Sequence, residues 1–223
     1  MPTIKTENQL REEKVAQMGV QLGELHFLLW KDLTWLHFEW DQFSELFGAT
    51  SSRIDVMNAA APRFFWSLER VLWQDILLSL SRLADPTGTG GQQNLTFRRL
   101  LSLLPKDGPR EQLLSALNEY EQKSLFARDW RHSLFAHRAL DHAANPDAHP
   151  LKEASRADVI SALEAAAQVM NIVELHYQDS TTGYGAAHGQ IGGAYDLLYL
   201  LDRGLHAREI EEDSEEVWNP RFS

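Results

Sequence analysis

From Leu113 a stripe of positions recurs in steps of three and four: Leu117, Tyr120, Ser124, Ala127, Arg131, Leu134. That period belongs to one face of an α-helix. At Arg131 the stripe breaks its own rule, because a guanidinium falls where the pattern wants a core residue. A buried charge is costly unless it is paired or used. Any fold of this chain must therefore carry that arginine inward and give it a task. The surrounding run from Ala127 to Asp141 also holds Arg128, His132, His137 and Arg138. Histidine is the side chain type whose ordinary pKa lies nearest neutral pH, and imidazole beside fixed guanidinium points to phosphate chemistry. Arg131 and His137 are six residues apart, roughly 600° on an ideal helix and so about 120° off a shared face. Either the helix ends or kinks between them, or another surface completes the pocket. A symmetric second copy is the cheapest such surface.

The rest of the chain follows the same period. Thr6-Glu-Asn-Gln9 has capping-box form and opens a long helical pattern to about Phe47. Gly48–Asn58 reads as a loop with at most a helical turn. Pro62 suits the first position of a helix that runs to about Ala84, striped by Phe65, Leu68, Leu72, Ile76, Ser79 and Leu83. Asp75 and Arg82 share its neighbouring face, as an ion pair or as support for Arg131. Asp85–Gly91 is a loop by composition and lacks the spacing of a phosphate-binding P-loop. Thr96 can cap a short helix, Phe97–Leu104, stopped by Pro105. Pro109 starts the helix of the Arg131 stripe, which is expected to reach His142. Ser155-Arg-Ala-Asp158 is a second capping box and begins a helix to about Tyr177. A Gly-rich connection carrying His188 leads to a last helix, Ala194–Arg208. No alternating strand pattern of useful length occurs. The expected architecture is an all-α bundle of about five to six helices in one domain, residues 1–208, with an acidic tail at 209–223, solvated or partly disordered.

Composition narrows the function. The 223 residues are 43% hydrophobic, enough for a sizeable core. With no cysteine, disulfide scaffolds and thiolate sites are excluded. No signal-peptide order and no long apolar run is present, so a cytoplasmic protein with no membrane partner is expected. A net charge of −11 argues against nucleic acid, but the charge is uneven. Phe97–Arg138 holds eight Lys or Arg against five Asp or Glu. A locally basic cleft on an acidic body can still take RNA, with modest, salt-sensitive affinity.

Arg131-His132, four residues, then His137 resembles the Arg-polar-(three to five residues)-His signature of the HEPN superfamily (higher eukaryotes and prokaryotes nucleotide-binding). The flanking Phe-Ala-His-Arg is similar to the Ala-His-Arg that often closes that motif. Ala60–Trp66, Leu80–Pro86 and Asn94–Leu100 resemble the abortive-infection branch, in the expected order, and the likeness spans roughly residues 10–205. The resemblance implies a HEPN-like helical bundle, a two-fold homodimer, and in many relatives a metal-independent endoribonuclease of toxin or phage-defence systems. It also implies a neutralising antitoxin partner, often a small nucleotidyltransferase.

RNA can be cut by its own 2′-OH if a base takes the 2′ proton, an acid protonates the leaving 5′ oxygen, and a cation meets the growing phosphorane charge. Imidazole can be base or acid, and guanidinium suits phosphate oxygens. His137 is expected to transfer protons, Arg131 to stabilise charge, and His132 to orient one of them or the substrate. Arg128 and Arg138 are expected to hold flanking phosphates. No cofactor or metal is called for. Two other readings stay open. One is a non-catalytic HEPN-like module binding RNA or protein. The other is a metal-dependent helical-bundle enzyme using His26 and His37, which share a face with Trp30 and Asp41.

Overall fold

The structure is a computed structural model that describes residues 5–48, 50–132, 154–185 and 192–214. Helices α1 (Glu7–Met18), α2 (Val20–Phe47), α3 (Ser51–Ala60) and α4 (Pro62–Leu83) come first. A hairpin follows, β1 (Gly88–Thr89) paired antiparallel to β2 (Gln92–Gln93). Then come α5 (Phe97–Leu103), α6 (Arg110–Lys123), α7 (Leu125–Trp130), α8 (Arg156–Gln178) and α9 (Ala194–Ser214). The fold is all-α. The chain forms two compact units, Met1–His37 with Asp75–Tyr184, and Phe38–Gln74 with Gly185–Ser223.

In the first unit the expected long N-terminal helix is two helices. Thr6 caps α1 with the reciprocal Gln9 bonds of a capping box. Gly19 then adopts φ 79°, closing α1 through its N–H to the Val15 carbonyl. Only glycine takes that conformation without strain, and α2 turns back along α1. Arg11 reaches Glu24 at 2.8 Å and Lys31 reaches Glu7 at 2.6 Å. At the crossing stands Gly23, whose missing Cβ would lie 2.6 Å from the Lys14 carbonyl oxygen.

The core of this unit is read directly off the stripes. Leu29, Leu33 and Leu36 of α2 are buried, as are Ile76, Leu77 and Leu80 at the end of α4. Helix α6 packs along α8, burying Leu113, Ala116, Leu117 and Tyr120. Opposite them α8 offers Val159, Ala162, Ala166, Val169 and Met170; the alanines let the two backbones approach. Each fully buried leucine contributes about 1.5–3 kcal/mol. Ser155 caps α8 through the expected box with Asp158. Thr96 occupies the N-cap position of α5 but its hydroxyl makes no capping bond. The α5 C-terminus is closed instead by Arg110, which donates to the Leu101 and Leu104 carbonyls at 2.9 and 2.6 Å.

In the second unit the stretch read as a loop before Asn58 contains α3. Its β-branched residues Ile54 and Val56 weaken the local helical signal. Packing on α9 supplies what propensity does not: Met57 is buried, and Arg53 bonds Glu45 at 2.7 Å and lies over the Tyr195 ring. Pro62 is the first residue of α4, as expected. Helix α9 runs past Arg208 into the first acids of the tail.

Candidate functional site at Arg131

The stripe that begins at Leu113 is buried through Leu117, Tyr120, Ser124 and Ala127. It is not one straight helix. At Ser124 the backbone sits at φ −95°, ψ 4°, which ends α6 and starts α7 with a change of direction. At Arg131 and His132 the helix widens into a π-type turn, a distortion common at functional sites. The kink and the wide turn both lie before His137. His137 and Arg138, with Leu134 and His188, lie outside the described residues.

Arg131 stands half-buried at the end of the stripe, its side chain 38% exposed. Its partner is Asp85, just beyond the last turn of α4. One guanidinium nitrogen, Nη1, donates to both carboxylate oxygens, at 2.8 and 2.7 Å, and makes a longer bond to Ser81 Oγ at 3.4 Å. Among the described residues Nη2 and Nε make no hydrogen bond, so half of the planar fork stays open.

The neighbourhood is built to hold that pair still. Tyr120, fully buried one stripe position earlier, donates its hydroxyl to the Leu80 carbonyl at 2.6 Å. That carbonyl belongs to the last turn of α4, where backbone acceptors lack helical partners. Phe97 packs edge-on against the Tyr120 ring, with centroids 5.1 Å apart. Burial, and then the negative charge of Asp85, push the Tyr120 phenol well above its ordinary pKa, so it stays a donor. Ser81 and Asp85, four apart along the chain, thus face α7 because the end of α4 is pinned to α6.

The other expected site residues are placed as follows. His132 is exposed in the π-type turn, and Arg128 is exposed on α7. Arg82 donates to Ser79 Oγ at 3.1 Å, and Asp75 is exposed on α4. The carboxylate that meets Arg131 is Asp85, and among the described residues no hydrogen bond joins Arg131 to Asp75 or Arg82. Asp85 and Ser81 lie inside the Leu80–Pro86 stretch that carries the family likeness, and that was the available signal for them. The HEPN AbiU2 family model matches residues 20–197.

The chain belongs to the HEPN AbiU2 family. It is a HEPN-superfamily protein of the abortive-infection type, and the matched span takes in Arg131, Asp85 and Ser81. No curated protein and no solved structure matches it.

Elsewhere in the same unit this HEPN domain buries an ionic cluster. Glu174 of α8 meets Lys14 at 3.3 Å, accepts from Thr182 Oγ1 at 2.7 Å and from the Tyr184 hydroxyl at 3.4 Å. His26 Nε2 lies 3.6 Å from the same carboxylate. Burial, reinforced by the Lys14 charge, lowers the His26 pKa to about 3. Burial also lowers His37, which stacks on Tyr184, to about 4. Both rings are therefore neutral at physiological pH. Among the described residues no three His, Cys, Asp or Glu side chains converge as a metal-ligating group. Among those residues, too, no helix is long and apolar enough to cross a membrane.

Proposed function

We propose that this protein is an endoribonuclease of HEPN type that cuts RNA without a metal, at a cleft formed by two copies of the chain. The observation that carries the reading is the half-open guanidinium of Arg131. Its Nη1 is fixed by Asp85, while Nη2 and Nε are left to meet two oxygens of a phosphate. An arginine so oriented loses little freedom when it binds.

In the reaction the 2′ oxygen forms a bond to phosphorus and the P–O5′ bond breaks. The 2′ proton leaves to a base, and the 5′ oxygen gains a proton from an acid. His137 of one copy serves as base and His137 of the other as acid. Arg131 meets the extra negative charge of the phosphorane. His132 orients these groups, and Arg128 and Arg138 hold the flanking phosphates. An unchecked ribonuclease harms its host, so a neutralising partner protein such as a small nucleotidyltransferase belongs with this reading. The test is incubation of purified protein with RNA in excess chelator. Fragments ending in 2′,3′-cyclic phosphate are expected, and they should vanish in Arg131→Ala and His137→Ala variants.

A second reading is a non-catalytic RNA- or protein-binding module. It is favoured by one feature, the carboxylate of Asp85 that offsets the Arg131 charge in a chain of net charge −11. Wild-type protein that retains RNA yet leaves it intact over many hours would select it.

A further inference from the structure

Beside the Arg131–Asp85 pair a cleft of about 340 Å³ opens between α2, the end of α4 and the hairpin. That lies at the small end of ligand clefts, roughly 300–1,000 Å³, room for one nucleoside and not for a strand. Leu83 and Leu95 give it apolar wall, and Asp85 joins it to the Arg131 site. Its remaining polar groups are Asp32, Ser79, Arg82, Gln93 and Asn94.

The hydrogen-bonding state of these groups is uneven. Asn94 Nδ2 is committed, donating at 2.9 Å to both the Pro86 carbonyl and Thr89 Oγ1. It fixes the hairpin, whose Gly90–Gly91 turn has φ 60° and 83°, the left-handed pair of a type I′ two-residue loop. Arg82 spends one nitrogen on Ser79. Among the described residues the Asp32 carboxylate and the Gln93 amide hydrogen-bond to no side chain. Partial desolvation at the cleft raises the pKa of Asp32, which is otherwise exposed, above its ordinary value, with Arg82 and Lys31 opposing.

We infer that this cleft binds a guanine base, and that it selects the nucleotide next to the phosphate held by Arg131. An ionised carboxylate offers acceptors only. Among the four RNA bases guanine alone presents two adjacent donors, N1–H and the N2 amino group, to such a fork. Adenine and cytosine set a ring lone pair against it, and uracil sets a carbonyl beside its single N–H. Arginine makes the complementary choice, since its guanidinium pairs with guanine O6 and N7. Gln93 brings a donor to O6 or an acceptor to the amino group. Single-stranded RNA is commonly read through such edges, with bases splayed from the strand. The position of the base relative to the cut rests on the ribonuclease reading; the base preference does not.

The test separates the two. Calorimetric titration of the full-length protein with guanosine 3′-monophosphate should give tighter binding than the adenosine, uridine and cytidine analogues. The margin should be at least about fivefold, the low end of what one bidentate base contact discriminates. Asp32→Asn should bring the four within about twofold of one another, since an amide offers one acceptor and turns an N–H toward a donor. Gln93→Ala, on an exposed hairpin away from the core, should weaken the guanosine ligand and serves if the first variant misfolds. Equal binding of all four nucleotides, no binding, or an unchanged preference in both variants overturns the inference. Guanosine binding that depends on Asp32, with no RNA cut, leaves the pocket standing and removes the ribonuclease reading. RNA cut without base preference, identically in wild type and Asp32→Asn, does the reverse.

Discussion

Asp85 decides what Arg131 can do. A half-exposed ion pair contributes little to stability, about 0–1 kcal/mol, so its value is in orientation. Asp85→Asn keeps the shape and removes the charge that fixes Nη1. On the proposed ribonuclease reading, RNA cleavage by that variant should fall at least about tenfold, the cost of roughly 1.4 kcal/mol of lost transition-state stabilisation, while the melting temperature stays within a few degrees. Cleavage at the wild-type rate would mean that Asp85 does not position the arginine. The Lys14–Glu174 pair is a different case, with side chains 7% and 1% exposed. Removing one partner strands the other, so Lys14→Met should cost about 3–5 kcal/mol in urea unfolding. His26 and His37 link that cluster to pH. Unfolded, each takes up a proton near pH 6.5; folded, only near 3 and 4. Between those values the unfolded chain binds more protons. Stability should therefore fall as pH drops below about 6.5, by up to about 1.4 kcal/mol per pH unit for each ring. Replacing His26 with Gln should flatten the slope, and an unchanged slope would locate the pH dependence elsewhere.

Among the elements, the α1–α2 hairpin depends on two glycines with different duties. Gly19 supplies a positive φ, and Gly23 supplies an absence of side chain. A methyl at Gly23 would press on backbone atoms, the Lys14 carbonyl oxygen and Val15 Cα, which cannot rotate away. Gly23→Ala should therefore destabilise by about 1–3 kcal/mol, more than the roughly 1 kcal/mol that alanine gains in a helix. Gly204→Ala, on α9 with nothing within 4 Å of the added methyl, should stabilise instead, and thermal melts of the two variants should move in opposite directions. Features set by local spacing could be read from the chain alone: the Leu113 stripe, both capping boxes and Pro62 at the head of α4. The break at Gly19 could not, because a lone glycine is tolerated inside a helical pattern. Helix α3 is held by α9, more than 130 residues away, and its own residues argue weakly for it. The site divides in the same way. Arg131 declared itself by violating its stripe, whereas Asp85, 46 residues earlier, is brought to it only by the pinning of α4 onto α6. Lys14 and Glu174, 160 residues apart, left no local trace.

For the whole molecule the proposed function raises the question of how a chain of net charge −11 would hold a polyanion. The distributed charge repels RNA, so on the proposed reading binding would come from a few local contacts, and salt dependence would count them. Each neutralised phosphate on a single strand contributes about −0.7 to the slope of log affinity against log salt. Three arginines, Arg128, Arg131 and Arg138, make about three contacts for one copy and a slope near −2. A cleft shared by two copies doubles the contacts, giving a slope near −4. The measurement is fluorescence anisotropy of a labelled RNA with the His137→Ala variant, which leaves all three arginines in place and should not cut. Because the acidic background is screened by the same salt, the plot should bend toward weaker dependence at low ionic strength, and the slope is best taken above about 0.1 M, where the Debye length is roughly 10 Å. A slope near −4 with two chains per RNA in the same solution supports the shared cleft. A slope near −2 at one chain per RNA removes it and leaves each Arg131 to act alone, with one His137, which cannot be base and acid in the same step.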